Sequence, residues 1–189
     1  RNYRIISIKH MNIVEKVAFG GGCFWCTEAV FSQLGGVTNV TSGYAGGKIE
    51  NPTYTQVSTG NTGHAEVVLI EYDSKIISFS KLLEVFFASH DPTILNRQGN
   101  DVGEQYRSII LYSNDAQKNE SEEYINKLIK KNTFQNPIVT QVGPLAKFYP
   151  AEEYHENYYA LHPDEPYSQS VIAPKIEKIR KKYSELLSS

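Results

Sequence analysis

The chain has 189 residues, 40% hydrophobic and 21% charged, with 19 basic against 21 acidic side chains. That length fits a single domain able to bury a core without covalent staples. The near-neutral balance gives no polyanion signal, and no apolar run approaches the ~20 residues of a membrane span. We therefore expect a soluble, cytoplasmic monomer with no nucleic-acid or membrane partner. Residues 1–10 contain charges but no apolar stretch, so no secretory signal is visible. The single methionine, Met11, reads as the native start. Residues 1–10 are then an upstream extension or cloning remnant, and residues 11–189 form one domain.

No internal repeat or low-complexity linker interrupts the chain. Residues 12–19 read as a strand ending in Gly20-Gly21-Gly22, followed by a helix over 24–34 that Gly35-Gly36 stops. Residues 37–45 can be extended, and 46–63 are rich in turn formers. The run 64–73 alternates, with Val68 and Ile70 on one face and Val67 and Leu69 on the other. Ser78 or Ser80 can cap a helix that ends before Asp91-Pro92. A polar loop covers 91–104, then 106–112 reads as a strand. Asn114 can cap a charged helix reaching about Lys131. A short strand over 138–142, a helix over 150–161 and a terminal helix over 173–187 complete the reading. The order β-α-β-β-α-β predicts an α+β fold, a two-layer α/β sandwich with a ferredoxin-like core and C-terminal extensions.

The two cysteines, Cys23 and Cys26, exclude a disulfide-built secreted domain and an all-protein Cys₄ zinc site. Their C-x-x-C spacing in a reducing compartment fits either redox chemistry or half of a metal site. Redox is favoured, because His10, His64, His90, His155 and His162 offer no well-spaced second ligand pair. Cys23 opens the first helix behind three glycines, where free N–H groups and the helix dipole favour a thiolate, so a lowered pKa is expected. Cys26, one turn on, is placed to attack a sulfur-linked intermediate on Cys23. A thioredoxin-like disulfide oxidoreductase and a zinc-binding interaction module both remain open at this point.

The segment Gly22-Cys23-Phe24-Trp25-Cys26-Thr27-Glu28 resembles the G-C-F-W signature of the A-type peptide methionine sulfoxide reductases. Further blocks resemble that family in its own order. They are Asn51-Pro52-Thr53-Tyr54, Thr62-Gly63-His64-Ala65-Glu66, the stretch from Gln98 to Ser108, and Phe148 to His155. Together they span about residues 16–183. The resemblance implies thiol-dependent reduction of methionine S-sulfoxide, free or in proteins, as repair of oxidative damage on a ferredoxin-like sandwich. It implies Cys23 as nucleophile, Phe24 and Trp25 as the wall for the substrate methyl, and Glu66 as proton donor to the sulfoxide oxygen. Tyr54 and Tyr106 would hydrogen-bond that oxygen or its water, and Asp101 would help order the network. His155 and Tyr158 match a further pair near the site.

Elementary chemistry agrees with these roles. A sulfoxide oxygen leaves poorly unless protonated, and a glutamate flanked by Val67 and Val68 can stay protonated through a raised pKa. The expected product on Cys23 is a sulfenic acid, which condenses with a second thiol. Many family members have glycine where Cys26 stands and a recycling cysteine near the C-terminus. Here Ser168 occupies a position that often carries that cysteine. Cys26 is then the one internal thiol for a Cys23–Cys26 disulfide, reduced by thioredoxin or by dithiothreitol in vitro. No metal or organic cofactor is implied.

Overall fold

The computed structural model describes residues 13–189, so the extension expected over residues 1–10 lies outside the described residues. Strand β1 (Val14–Gly20) starts near solvent and becomes fully buried from Val17 onward. Helix α1 (Phe24–Phe31) follows, and β2 occupies Val37–Ala45, the extended segment expected there. Helix α2 (Tyr54–Ser58) is closed by a capping box in which Thr53 and Gln56 satisfy each other's backbone donors. Strand β3 (Ala65–Asp73) leads to α3 (Phe79–Ser89), whose cap is Ser78, accepting from the Lys81 N–H at 3.2 Å. A tight hairpin, β4 (Arg97–Gln98) with β5 (Asp101–Val102), folds the polar loop back on itself. Then come β6 (Ile109–Tyr112), α4 (Asp115–Lys130), β7 (Gln141–Pro144), β8 (Phe148–Pro150), α5 (Tyr158–Leu161) and α6 (Ala173–Lys182). Asn114 caps α4 as expected, accepting from the Gln117 N–H at 2.9 Å.

The main sheet has six strands in the order β7-β6-β1-β3-β2-β8. Its inner four, β6-β1-β3-β2, are antiparallel neighbours. With α1 joining β1 to β2 and α3 joining β3 to β6, this is the split βαβ arrangement predicted from the element order. Period-2 alternation divides the sheet into two faces. Val17, Phe19, Val68, Ile70 and Ile110 pack under the helices, where Phe19 stacks on Phe86 at 4.6 Å between ring centroids. Ala18, Val67, Ile109 and Leu111 form a smaller cluster on the other face, with Leu69 packed against it. The two sides predicted for β3 are therefore those observed.

Helix α1 stops at Phe31, short of the predicted 34, and four further elements differ from prediction because distant partners decide. Tyr106 closes a 3₁₀ turn (Glu104–Tyr106), and the strand begins only at Ile109. Arg107 holds that turn by donating to the carbonyls of Glu104 at 3.0 Å and Gly63 at 2.9 Å. The strand expected over 138–142 lies at Gln141–Pro144, parallel to β6, where an edge position tolerates Pro144. The helix expected over 150–161 is replaced by β8, a 3₁₀ turn (Glu153–His155) and α5, with Asn157 left-handed at φ 51°. The terminal helix stops at Lys182, because Tyr183 buries its ring and the chain returns to bridge Leu34 with Leu187.

Candidate active site

Gly22 makes the turn from β1 into α1 at φ +96°, and a Cβ there would meet the Gln98 side chain at 2.8 Å. Glycine at this position thus lets the 91–104 loop close over the helix start. Cys23 is the N-cap residue of α1, and its carbonyl accepts from the Cys26 N–H at 3.1 Å. The first free N–H of the helix, that of Phe24, is not left to solvent. It donates to the Glu66 carboxyl at 3.1 Å, joining the thiol-bearing turn to β3.

Glu66 is 2% exposed, and burial pushes its pKa up to about 8 despite the Phe24 hydrogen bond. A carboxyl in that condition is an acid at neutral pH. Burial also pushes the Cys23 thiol well above its ordinary value, with the Glu66 and Cys26 charges acting in the same direction. The helix start does not lower the resting thiol as the sequence suggests, because desolvation at 9% exposure outweighs the backbone donors. At neutral pH Glu66 and Cys23 therefore each hold a proton.

Aromatic side chains surround this pair. Phe24 lies 5.8 Å from Tyr44 and 5.0 Å from His155, ring to ring. Trp25 stacks flat on Tyr158 at 3.6 Å and meets Tyr167 edge-on at 5.9 Å. Its indole N–H donates to His155 Nδ1 at 3.1 Å. Tyr54, the first residue of α2, contacts the other side of His155 at 4.7 Å, and its backbone N–H donates to Glu152 at 2.8 Å. Burial raises the Tyr54 and Tyr106 phenols, and Glu66 raises both further, so each keeps a proton to donate. On the far side, the Tyr167 hydroxyl donates to Asp101 Oδ2 at 2.8 Å and lies 3.7 Å from Cys26 Sγ. A cavity of about 550 Å³ opens beside both cysteines, lined also by Gln98, Asp101, Tyr167 and Lys175. Among the described residues no cluster of three or more His, Cys, Asp or Glu could hold a metal ion.

Residues 23–26, Tyr54, Glu66, Asp101, Tyr106, His155 and Tyr158 thus fall in one neighbourhood, although they come from five separate stretches of chain, whereas His64 and His90 serve other parts of the fold. A family model described as peptide methionine sulfoxide reductase matches residues 15–187. The chain belongs to that family. It is 55% identical over 168 residues to the peptide methionine sulfoxide reductase MsrA of Nautilia profundicola, covering 89% of this chain and 95% of that one. Among solved structures, Mxr1 from Saccharomyces cerevisiae in reduced form matches with a TM-score of 0.74 at 32% identity, over 80% of this chain and 87% of that one. Mxr1 in complex with Trx2 matches with a TM-score of 0.54 at 25% identity, over 77% and 84% respectively.

Two residues of this family member carry structure in the site that sequence reasoning did not single out. Glu152 accepts from both the Tyr54 N–H and the Tyr44 hydroxyl, each at 2.8 Å, which fixes α2 against β2. Nothing in the run Ala151-Glu152-Glu153 tells which acid turns inward. Tyr167 is one of 13 tyrosines, and only the fold brings it beside Asp101 and Cys26. Ser168, next to it, is fully buried, and its hydroxyl has no hydrogen-bond partner among the described residues.

Proposed function

We propose that this chain reduces the S-epimer of methionine sulfoxide, free or in proteins, through Cys23, Glu66 and Cys26. The observation that carries the reading is the buried Glu66 carboxyl, its pKa pushed up to about 8, held by a hydrogen bond against the helix turn that bears the Cys23 thiol. Glu66 donates its proton to the sulfoxide oxygen, which makes the substrate sulfur electrophilic. Cys23 attacks that sulfur, and its thiol proton passes to the Glu66 carboxylate. The net step gives methionine and a Cys23 sulfenic acid. Substrate sulfur gains two electrons and Cys23 sulfur loses two, so no further reductant enters. Tyr54 and Tyr106 donate hydrogen bonds to the oxygen as charge builds there. Phe24 and Trp25 hold the methyl group against ring faces, a contact worth about 0.3–1.5 kcal/mol for sulfur-bearing groups. Asp101 orders the polar side of the pocket.

Cys26 then condenses with the sulfenic acid, releasing water and leaving a Cys23–Cys26 disulfide. Thioredoxin is the reductant of that disulfide, a role supported by the solved pairing of Mxr1 with Trx2. Among the described residues no helix is long and apolar enough to cross a membrane. We place the enzyme in the cytoplasm, as a monomer, where free thiols stay reduced and thioredoxin is at hand.

The test is reduction of the separate S- and R-epimers of a blocked methionine sulfoxide with dithiothreitol, read by chromatography. Methionine from the S-epimer alone is the expected result. Product from neither epimer, with folded protein and reduced thiols, overturns the reading. Cys26→Ser should give one equivalent of methionine and then stop with thioredoxin as sole reductant. Sustained wild-type turnover by that variant would remove Cys26 from the cycle.

A further inference from the structure

Attack by Cys26 on the Cys23 sulfenic acid requires the Cys26 thiol to lose its proton. Its surroundings resist simple ionisation. Cys26 is 2% exposed, and burial raises its pKa, with Asp101 and Glu66 pushing the same way. Lys175 from α6 and the Tyr167 hydroxyl contact act in the opposite sense and are outweighed, and Cys23 is the remaining ionisable neighbour. The proton must therefore be taken up as the sulfur–sulfur bond forms.

Tyr167 offers a path. Its hydroxyl hydrogen is committed to Asp101 Oδ2 at 2.8 Å, so the oxygen presents a lone pair toward Cys26 Sγ at 3.7 Å. The thiol is then the donor in that contact, and the chain Sγ–H···Oη–H···Oδ2 points one way. We propose that Tyr167 and Asp101 form a proton relay that removes the Cys26 thiol proton during disulfide formation. The inference rests on the functional reading above, because Cys23 must first become a sulfenic acid.

The step balances without a further oxidant. A bond forms between the two sulfurs as the S–O bond on Cys23 breaks. The sulfenic sulfur gains one electron pair's share and the Cys26 sulfur gives it. The Cys26 proton moves to the Tyr167 oxygen while the Tyr167 proton moves to Asp101. The leaving hydroxyl takes the Glu66 proton and departs as water, and solvent carries the Asp101 proton back to Glu66. Carboxylates in general are weak bases for a free thiol. One suffices for a sulfur that loses basicity as its new bond forms, since general base assistance contributes about 10²–10⁴-fold when geometry is right.

The experiment is single-turnover rapid quench with blocked methionine S-sulfoxide and no added thiol, between about pH 6 and pH 9, across the usual thiol range. Methionine release reports the first step. Dimedone capture at Cys23 and loss of free thiol report the second. Wild type, Tyr167→Phe and Asp101→Asn are compared, each checked for folding by circular dichroism. The phenylalanine keeps the ring that meets Trp25 edge-on. Both variants should form the disulfide at least about tenfold more slowly and accumulate dimedone-reactive sulfenic acid. Their disulfide rate should also climb about tenfold per pH unit up to about pH 8, as bulk hydroxide replaces the relay, where the wild-type profile is flatter; above that pH Glu66 no longer holds the proton the leaving hydroxyl takes. Wild-type rate and profile in either folded variant overturn the relay. A slower rate with the wild-type pH profile overturns it as well, since that signals displaced packing. Absence of methionine from the wild type overturns the functional reading and the relay together, whereas methionine release with unaltered resolution overturns the relay alone.

Discussion

His155 accepts the Trp25 indole N–H on Nδ1, so a neutral ring carries its proton on Nε2, which is buried with no hydrogen-bond partner among the described residues and lies 3.8 Å from Glu152. Burial lowers the His155 pKa, which keeps the ring neutral and the acceptor available. Trp25 is the one tryptophan in the chain, so its emission reads this contact directly. His155→Phe should shift that emission and raise KM for the sulfoxide about fivefold, the equivalent of one hydrogen bond near 1 kcal/mol. Unchanged emission and KM would show that Tyr158 stacking alone holds the indole. Glu66 makes the sharper claim. Glu66→Gln keeps an acceptor for the Phe24 N–H but has no acidic proton, so sulfoxide reduction should slow by about 10²–10⁴-fold. Alkylation of Cys23 by iodoacetamide should persist in that variant, and full activity would end the acid role. In the wild type the first step should weaken as pH rises through about 8, where Glu66 gives up its proton.

Elements matter here through how they meet. Strand β8 lies against β2 with Gly43 opposite Pro150, and a Cβ on Gly43 would collide with the Phe148 ring and the Tyr149 carbonyl. The same strand leads into Ala151, whose N–H donates to Ser42 at 2.9 Å, and then to the Glu152 clamp on Tyr54 and Tyr44. A methyl at Gly43 therefore moves Glu152, the residue that holds the Tyr54 backbone in place. Gly43→Ala should cost about 2 kcal/mol, a Tm loss of roughly 4–8 °C, and should lower kcat/KM as well. Thermal melting and activity should fall together, and a stable variant with impaired turnover would show that β8 tolerates the methyl and only the clamp moves. Legibility in sequence follows the same division. The bounds of β2, the cap of α3 and the two faces of β3 rest on local patterning and appear in the sequence. Strands β7 and β8 are set by partners far along the chain and do not.

Across the whole molecule, two buried ionisable groups set opposing pH limits on stability. His90 is enclosed between the Phe86 carbonyl and the Ser108 hydroxyl, each at 2.7 Å, and burial pushes its pKa down to about 4. An unfolded histidine titrates near 6.5. The neutral ring's contribution is thus complete above that value and is lost as pH falls toward 4, about 3 kcal/mol in all. Glu66 runs the other way. Its folded pKa of about 8 exceeds its unfolded value, so the protonated carboxyl stabilises fully at low pH and loses that advantage as pH rises to 8. Urea unfolding should show a maximum between these limits. Glu66→Gln should raise stability at pH 8.5 by an amount on the order of 4 kcal/mol and leave it nearly unchanged at pH 4.5. An equal gain at both pH values would mean that charge burial at Glu66 is not the cost.

The sequence by itself determined the βαββαβ core, the C-x-x-C at a helix start and the motif blocks by which the chain resembles one family. Those rest on period, capping and motif, all of which are local. The tertiary structure decided what protonation each group carries and which neighbour it serves. Cys23 reads as an activated thiol from its helix position, but enclosure overrides the helix dipole and keeps it protonated. Tyr167 and Glu152 acquire their places only when the C-terminal third folds back over α1 and α2. Desolvation and long-range hydrogen bonds depend on what surrounds an atom in space, and no spacing along a chain encodes that directly.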